Sequence, residues 1–310
     1  MVKKMFKEFC VFSDNVKRAI AEKKPVVALE SSVIAQGMPF PQNLDTALDL
    51  LKIVKENGAE PAVIGIIKGK IVVGLSEFEI EFLAKGEKLV KVSKQNLAYT
   101  IANKLSGGTT VSASIFVARQ AGIDVFVTGG IGGVHKDFSE TFDISQDLDE
   151  LSKTDIIVIS SGAKSIVDLR KTVEYLETKG VLILGYCTDQ FPAFYSRESG
   201  IEISNNVETP KEIAHIFNHQ NLLGIKSAIL VANPIPNKFD IPYPQIETAI
   251  EKAIGEAKIK GIKGKELTPF LLNKISEKTK GKSLSSNIEL LKNNARLGAL
   301  IAKEVAIVKK

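Results

Sequence analysis

Cysteine, histidine and tryptophan are scarce in this sequence. Its 310 residues include two cysteines, three histidines and no tryptophan. Cys10 and Cys187 stand alone, so they provide neither a disulfide framework nor a CxxC metal site. We interpret both as small buried hydrophobes in a reducing compartment.

Long apolar runs are also missing, as is a strong excess of either charge. No charge-free run reaches the roughly 20 residues that a membrane span needs, and the first residues contain no apolar stretch of signal-peptide length. The 41 basic and 36 acidic residues give a net charge of +5 that is spread along the chain, so nucleic-acid binding is not indicated. The composition predicts a cytoplasmic globular protein that binds neither a membrane nor nucleic acid.

Buried strands alternate with helical segments along the chain. Strands are predicted at 25–30, in a hairpin over 61–75, and at 88–92, 181–186 and 227–233, with two more inside 123–165. Helices are predicted at 14–24, 43–58, 76–86, 96–105, 110–122, 166–179, 209–222, 243–260, 268–279 and 283–308. We predict one α/β domain over 1–310, with three α/β/α layers around a mixed, mostly parallel sheet and a helical C-terminal extension.

Most candidate chemistry lies in residues 123–165. This segment holds two apolar strands, a glycine-rich turn, an acid-rich stretch and Lys164. The carboxyl ends of parallel strands meet at the same edge of a sheet, so the turn, the acidic stretch and the lysine should face one crevice.

Lys164 is the first candidate. A lysine is most often a solvated surface charge. Residues 160–164, however, join a predicted strand to a predicted helix, and the positive end of a helix dipole disfavours an ammonium group in the first turn. The positive charge of Lys91, at another strand end, would also disfavour the ammonium form of Lys164. A neutral amine in this position can attack a carbonyl and form a Schiff base.

Carboxylates are candidates for metal binding and proton transfer. Asp143 and Asp147 are four residues apart, which places them on one face of a helix and suits Mg²⁺ or Mn²⁺, with His135 nearby as a hydrogen-bonding group. A solvated helix start is the alternative reading of this acidic stretch. Glu30, at the end of a predicted strand, is a weaker candidate for a proton donor.

Three further motifs carry weak signals. The sequence GGIGGVH lacks the third glycine of a dinucleotide fingerprint and is interpreted as a tight turn that lets a ligand approach the backbone. Residues 107–110 precede a helix, so their N–H groups and hydroxyls form a candidate anion site that includes Thr110. His215 and His219 have the spacing of a zinc pair, but the glutamate of an HExxH motif is absent.

A set of segments distributed along the chain resembles one family. In chain order they are ALESSVIAQGMPFPQN, GGTTVSAS, VFVTGGIGGVH, FDISQDLDEL, SSGAKSIVDL, YLETKGVLILGY, FPAFY, ANPIP, TPFLL and KNNA. Together they are similar, from about residue 25 to about residue 300, to the pseudouridine-5′-phosphate glycosidase family, also called indigoidine synthase A-like. A match of so many segments in register is far more specific than any one of these motifs.

The resemblance implies an enzyme and a set of residue roles. The activity is reversible cleavage of the C–C glycosidic bond of pseudouridine 5′-phosphate to uracil and ribose 5-phosphate, with a divalent metal, usually Mn²⁺, in a homotrimer. Lys164 matches the Schiff-base lysine, Glu30 the proton donor and Asp143 the metal ligand. The expected substrate-binding positions are Lys91, Val111, Ser145, Gln146 and Asp147, with His135 and one or more asparagines of KNNA, Asn294 first among them, as further pocket candidates. Thr110 is a candidate only through the helix start described above, not through the resemblance.

Two other functions fit some of the same residues. A Schiff-base lyase of the aldolase kind would also use a lysine beside a sugar-phosphate site. A non-catalytic sensor of nucleotides or phosphosugars would use the Lys164 region only to hold an anion. Release of uracil separates the first from a glycosidase, and binding without turnover characterises the second.

Overall fold

The computed structural model describes residues 8–262 and 267–309. Its strands are β1 Cys10–Phe12, β2 Val26–Leu29, β3 Glu60–Ile67, β4 Lys70–Val73, β5 Val90–Val92, β6 Gly107–Thr109, β7 Val125–Val127, β8 Val134–His135, β9 Ile157–Ser160, β10 Val167–Asp168, β11 Leu182–Tyr186, β12 Asn206–Val207 and β13 Ile229–Ala232. Its α-helices are α1 Asp14–Ala21, α2 Gln42–Glu56, α3 Glu77–Lys85, α4 Lys94–Ala102, α5 Val111–Ala121, α6 Phe138–Thr141, α7 Gln146–Leu151, α8 Leu169–Thr178, α9 Pro210–Leu222, α10 Tyr243–Ile259, α11 Leu267–Lys278 and α12 Lys282–Val308.

One mixed sheet organises the chain. Its strand order is β1-β4-β3-β2-β7-β9-β13-β11-β12, with β6 paired to β3 and β5 paired to β6. From β3 to β12 every neighbouring pair is parallel, whereas β4 and β6 are antiparallel to β3. Strands of a parallel sheet are covered on both faces, which explains why β2, β7, β9 and β13 are apolar and buried along their whole length. The predicted mixed, mostly parallel sheet is confirmed.

Helices cover the sheet, and the longest of them is the last. Helix α12 packs on β2, β7 and β9 and contacts α2 and α9, while α5 packs on β2, β3, β6 and β7. An apolar seam of α12 faces the core, with Leu291, Ala295 and Ala299 buried. At Gly298 the helix lies so close to the sheet that a Cβ atom would be 2.4 Å from Cγ2 of Val127. The predicted layered α/β fold with a helical C-terminal region is confirmed.

Two elements beside the candidate site differ from the predictions. The helix predicted over 166–179 begins only at Leu169, because the Asp168 side chain caps it by accepting a hydrogen bond from the Lys171 N–H at 3.0 Å. The preceding residues form β10, which pairs with β8. Lys164 therefore does not lie in the first turn of a helix, and the dipole argument for it was wrong. Residues 107–109 form strand β6 rather than a loop.

The cysteines also differ from their interpretation. Cys10 is half-buried on the edge strand β1, and burial raises the pKa of its thiol to about 12. Cys187 is exposed and adopts a left-handed backbone conformation with φ of 51°, so its interpretation as a buried hydrophobe was wrong. Over residues 8–262 and 267–309, every helix is too short or too polar to cross a bilayer.

Two helical glycines give a matched test of this packing. Gly298→Ala would place a methyl group against Val127, so it should lower the free energy of unfolding by about 1–3 kcal/mol through overpacking. Gly255→Ala meets nothing within 4 Å on α10 and should raise the same quantity by up to about 1 kcal/mol, since alanine favours helix. Urea unfolding of both variants measures the difference. Equal effects would contradict the close contact of α12 with the sheet.

Candidate active site

Three ionisable side chains from distant parts of the chain line one cavity. Glu30 directly follows β2, Lys91 lies within β5, and Lys164 follows β9. The cavity has a volume of about 600 Å³, including space that is open to solvent. Its apolar wall contains Val33, Ile166, Phe194 and Leu272, and its other lining residues are Ser32, Gln36, Gly37, Gly129, Gly130, Ser165 and Asn287. The topology therefore brings together Lys164, predicted as the amine nucleophile, and Glu30, predicted as the proton donor. Both roles stay predictions.

Two hydroxyl groups hold the carboxylate of Glu30. Its side chain is only 6% exposed. Ser32 donates a hydrogen bond from Oγ to Oε2, and Thr128 donates one from Oγ1 to Oε1. Each carboxylate oxygen thus has a neutral donor, which satisfies the buried group and fixes its orientation. The sequence analysis missed both partners, although Ser32 stands in the ALESS segment and Thr128 directly precedes the glycine turn.

The backbone of Lys164 is fixed by the glycine turn. Ser161 donates from its N–H to Gly129 O at 2.9 Å, Ile131 to Gly162 O at 3.1 Å, and Lys164 to Ile131 O at 2.8 Å. This pairing continues the parallel register of β7 and β9 beyond their ends. Gly162 has φ of +80°, and a Cβ atom there would lie 1.9 Å from Pro192 O, so the loop requires glycine.

The glycines of the turn serve packing more than ligand access. Gly129 and Gly130 line the cavity. A Cβ atom at Gly132, however, would be 2.1 Å from Ser145 Oγ, and one at Gly133 would be 2.4 Å from Thr172 Oγ1. Protein side chains occupy the space beside these two residues. Only the first half of the turn borders the cavity, and access of a ligand to its backbone stays a prediction.

Asp147 is a buried crosslink between three segments. Its side chain, 4% exposed, accepts the Ser112 N–H at 2.8 Å on Oδ1 and the Gly132 N–H at 2.9 Å on Oδ2. It thereby joins α7 to the start of α5 and to the glycine turn. Asp143 precedes α7, which begins at Gln146, and its side chain is 60% exposed. The prediction that Asp143 and Asp147 share one helix face was wrong, because Ser145 caps the helix between them.

The start of α5 is not an open anion site. Thr110 donates its N–H to Val92 O at 2.8 Å, and the Ser112 N–H is bonded to Asp147. The carboxylate of Asp147 already supplies the negative charge that a helix N-terminus favours. Thr110 and Val111 are buried at this point, outside the lining of the cavity.

The remaining predicted positions also lie beside or behind the cavity. Gln146 accepts the Gln95 N–H at 2.8 Å on Oε1, which links α7 to α4. Asn294 is fully buried: it donates from Nδ2 to Thr128 O at 2.9 Å and accepts from Asn233 Nδ2 at 2.9 Å. The asparagine of α12 that lines the cavity is Asn287, two turns earlier.

Asp143 and His135 form the strongest candidate for a metal site. His135 Nε2 lies 3.9 Å from Asp143 Oδ2, and the His135 N–H donates to Asp143 O at 3.0 Å. Within the described part of the chain no group of three or more His, Cys, Asp and Glu side chains could hold a metal ion. One exposed carboxylate fits a divalent ion that keeps most of its ligands as water or substrate oxygens, as Mg²⁺ and Mn²⁺ do. His219 Nδ1 is bonded to His215 O at 2.8 Å, and no group of three or more ligating side chains among the described residues includes this pair.

Comparison with known families matches almost the whole chain. Residues 15–304 match the family model described as indigoidine synthase A like protein. The chain belongs to this family. The predicted family is thereby confirmed.

Relatives of this chain carry the name of an enzyme. The chain is 54% identical to a pseudouridine-5′-phosphate glycosidase of Caldanaerobacter subterraneus subsp. tengcongensis, over 96% of this chain and 97% of that one. A protein of the same name from Staphylococcus aureus is 51% identical over 96% and 97% of the two chains. At this identity and coverage, the protein described by this sequence is an enzyme.

Two solved structures have the same fold. The prealnumycin C-glycosynthase AlnA in complex with ribulose 5-phosphate superposes with a TM-score of 0.90 at 35% identity, over 97% of this chain and 98% of that one. An indigoidine synthase A-like protein of Thermotoga maritima superposes with a TM-score of 0.88 at 37% identity, over 96% and 97%. The layered α/β architecture is therefore that of the family.

The role of Asp147 as a crosslink can be tested by unfolding. Asp147→Ala leaves two buried N–H groups without a partner and should lower the free energy of unfolding by about 3 kcal/mol. Asp149→Ala, two residues later on the same helix, removes exposed ion pairs to Lys179 and Lys153. It should change the free energy of unfolding by less than about 1 kcal/mol. Urea unfolding measures both values. Similar losses for the two variants would show that Asp147 is not a crosslink.

Proposed function

We propose that this enzyme reversibly cleaves the C–C glycosidic bond of pseudouridine 5′-phosphate to give uracil and ribose 5-phosphate. The observation that carries the proposal is the shared cavity of Lys164, Lys91 and the buried Glu30. Support comes from relatives about half identical in sequence that are named pseudouridine-5′-phosphate glycosidase. The likeness to a C-glycosynthase bound to ribulose 5-phosphate agrees with a sugar phosphate as ligand.

The chemistry of a C-glycoside explains why an amine is needed. The leaving group is a ring carbon, so no leaving oxygen exists that a glycosidase acid could protonate. Glu30 is also the only carboxylate among the described residues that line the cavity, so the usual pair of carboxylates is not available. A nitrogen nucleophile that can become an electron sink solves both problems.

The proposed reaction starts on the sugar. Lys164 Nζ forms a bond to C1′ while the bond from C1′ to the ring oxygen breaks, and the proton lost by the amine ends on that oxygen. The C1′–base bond then breaks: its electron pair takes a proton from Glu30 at the base carbon, and the nitrogen lone pair forms the C1′=N iminium. Water adds to the iminium, the proton set free in this hydrolysis returns to the Glu30 carboxylate, and ribose 5-phosphate and the free amine are released.

Glu30 is well placed to exchange this proton. A hydroxyl group can donate to an ionised carboxylate and accept from a protonated one. Ser32 and Thr128 can therefore hold Glu30 in both states of the reaction. Lys91, on the same cavity, is proposed to contact the substrate.

A divalent ion, Mn²⁺, completes the proposal, since a carboxylate with an imidazole nearby suits such an ion. Asp143 would hold it, with His135 beside it. When bound, such an ion supplies positive charge that orders water and substrate oxygens. Ser145, Gln146 and Asp147 then support this segment through the bonds described above. A homotrimer of single-domain chains in the cytoplasm remains part of the proposal.

Trapping identifies the nucleophile. Incubation with ribose 5-phosphate and borohydride should reduce the iminium to a stable secondary amine on Lys164, which peptide mass spectrometry locates. Lys164→Ala should lose the adduct and slow uracil release by about 10³-fold or more, because the covalent intermediate cannot form. Lys171→Ala, an exposed lysine paired with Asp168, is the control and should keep both.

The same experiment separates the rival functions. An adduct on another lysine, or the absence of any adduct, would contradict the covalent mechanism proposed for Lys164. An adduct without uracil release from pseudouridine 5′-phosphate would instead indicate a lyase of the aldolase kind. Binding of the nucleotide with neither adduct nor turnover would indicate a sensor.

The metal assignment has its own test. Asp143→Asn removes the negative charge and should raise the dissociation constant for Mn²⁺ by about tenfold or more. Asp137→Asn, which lies on the other side of α6, is the control and should leave the constant unchanged; its side chain makes no cap hydrogen bond, so the substitution should not disturb α6. Electron paramagnetic resonance of free Mn²⁺ measures both constants without any turnover. Equal constants for the two variants would rule out Asp143 as the ligand.

A further inference from the structure

Two side chains of the cavity carry buried acceptors that have no partner. In residues 8–262 and 267–309, the buried side-chain atoms without a hydrogen bond are Gln36 Oε1, Ser160 Oγ and Asn287 Oδ1. Both amide oxygens belong to residues that line the cavity of Glu30 and Lys164. Buried polar atoms in proteins are nearly always bonded, so an unpaired pair on one cavity indicates donors that arrive with a ligand.

The two amides reach the cavity from separate elements. Gln36 lies in a π-helical turn, Val33–Gly37, that follows Glu30 almost directly, and turns of this kind occur often at functional sites. Asn287 lies on α12 and is 5% exposed. Because Glu30 and Gln36 share one short segment, the proton donor and this amide are held in a fixed relation to each other.

The surroundings of the amides suit a flat heteroaromatic ring. Val33, Ile166, Phe194 and Leu272 provide an apolar wall. Phe194 is 5% exposed and held in a left-handed backbone conformation with φ of 60°. Apolar walls with a few placed polar groups are typical of small-molecule sites, and amide side chains match the polar edges of nucleobases.

We propose that Gln36 Oε1 and Asn287 Oδ1 accept hydrogen bonds from the two ring N–H groups of the base, an assignment that rests on the proposed function. Uracil bonded to a sugar through carbon keeps a hydrogen on both ring nitrogens. Uracil bonded through nitrogen keeps only one. A site with two unpaired acceptors therefore selects the C-linked base and leaves one buried acceptor unsatisfied when an N-linked base binds.

The reverse reaction gives a direct test. Ribose 5-phosphate is combined with uracil, 1-methyluracil or 3-methyluracil, and formation of the C-nucleotide is followed. We expect the parent enzyme to prefer uracil over each methylated base by about tenfold or more, the effect of one lost neutral hydrogen bond with its acceptor left buried. The preference is expressed as a ratio of kcat/KM values.

Leucine variants distinguish a hydrogen bond from a steric fit. Gln36→Leu and Asn287→Leu keep side chains of similar size but remove the acceptor. Each should lower kcat/KM for uracil by about tenfold and bring its ratio to one of the two methylated bases close to unity. Asn273→Leu is the matched control, because Asn273 borders the adjoining cavity shared by Gln36 and Asn287 but not the cavity of Lys164, and its ratios should not change.

The outcomes are separable from those of the proposed function. Borohydride trapping of ribose 5-phosphate on Lys164 requires no base, so it should persist in both leucine variants. Suppose that trapping and uracil turnover persist while the parent enzyme accepts the methylated bases as well as uracil, or while both leucine variants keep the full preference for uracil. Either result would contradict the assignment of Gln36 and Asn287 to the base and leave the proposed reaction unaffected. If trapping on Lys164 fails in the parent enzyme, both proposals fall. Gln36 is only partly buried, so its variant tests the assignment even if Asn287→Leu does not fold.

Discussion

The side chain of Asn294 joins the ends of three neighbouring strands. Its Nδ2 donates to the backbone oxygen of Thr128, which follows β7, and lies 3.2 Å from Oγ of Ser161, which follows β9. Its Oδ1 accepts from Asn233, which follows β13. Backbone pairing continues for a few residues beyond β7 and β9, and a fully buried amide with partners after all three strands joins this edge of the sheet further. Thr128 in turn holds Glu30, and Ser161 begins the loop that leads to Lys164.

The carboxylate of Glu30 accepts hydrogen bonds from two hydroxyl groups, which differ from cationic donors in their effect on its charge. A lysine or arginine in place of Ser32 or Thr128 would favour the ionised carboxylate strongly and oppose return of the proton. Hydroxyls provide direction, and each can act as donor or acceptor.

The sequence predicted the sheet and its helices because buried runs and apolar stripes are local signals. The strands around β2, β9 and β13 and the seam of α12 follow directly from such patterns. The pairing of Thr128 with Glu30 spans 98 residues and involves residue types that have no periodic signal, so no pattern could predict it. The choice between Asn287 and Asn294 depended on how far α12 lies along the sheet. The two are seven residues apart, or about 10 Å along one face of a helix, and only packing decides which reaches the cavity.

The errors near the site have a common physical origin. Asp168 and Ser145 each cap a helix, and both caps were missed, so the predicted helix before Leu169 and the shared face of Asp143 and Asp147 were wrong. A residue that caps a helix also decides which neighbouring side chains leave it. Short polar residues at strand and helix ends thus determine the geometry of this site more than the hydrophobic pattern does.

The bonds of Asn294 also bear on how the enzyme reaches its active form. They close over sequence separations of 61, 133 and 166 residues, so each of them orders a long stretch of chain. Contacts between such distant residues form slowly, because a large loss of chain entropy precedes any gain from the contact. The catalytic edge of the sheet is therefore expected to become ordered late in folding, after the central strands and the last helix have already met.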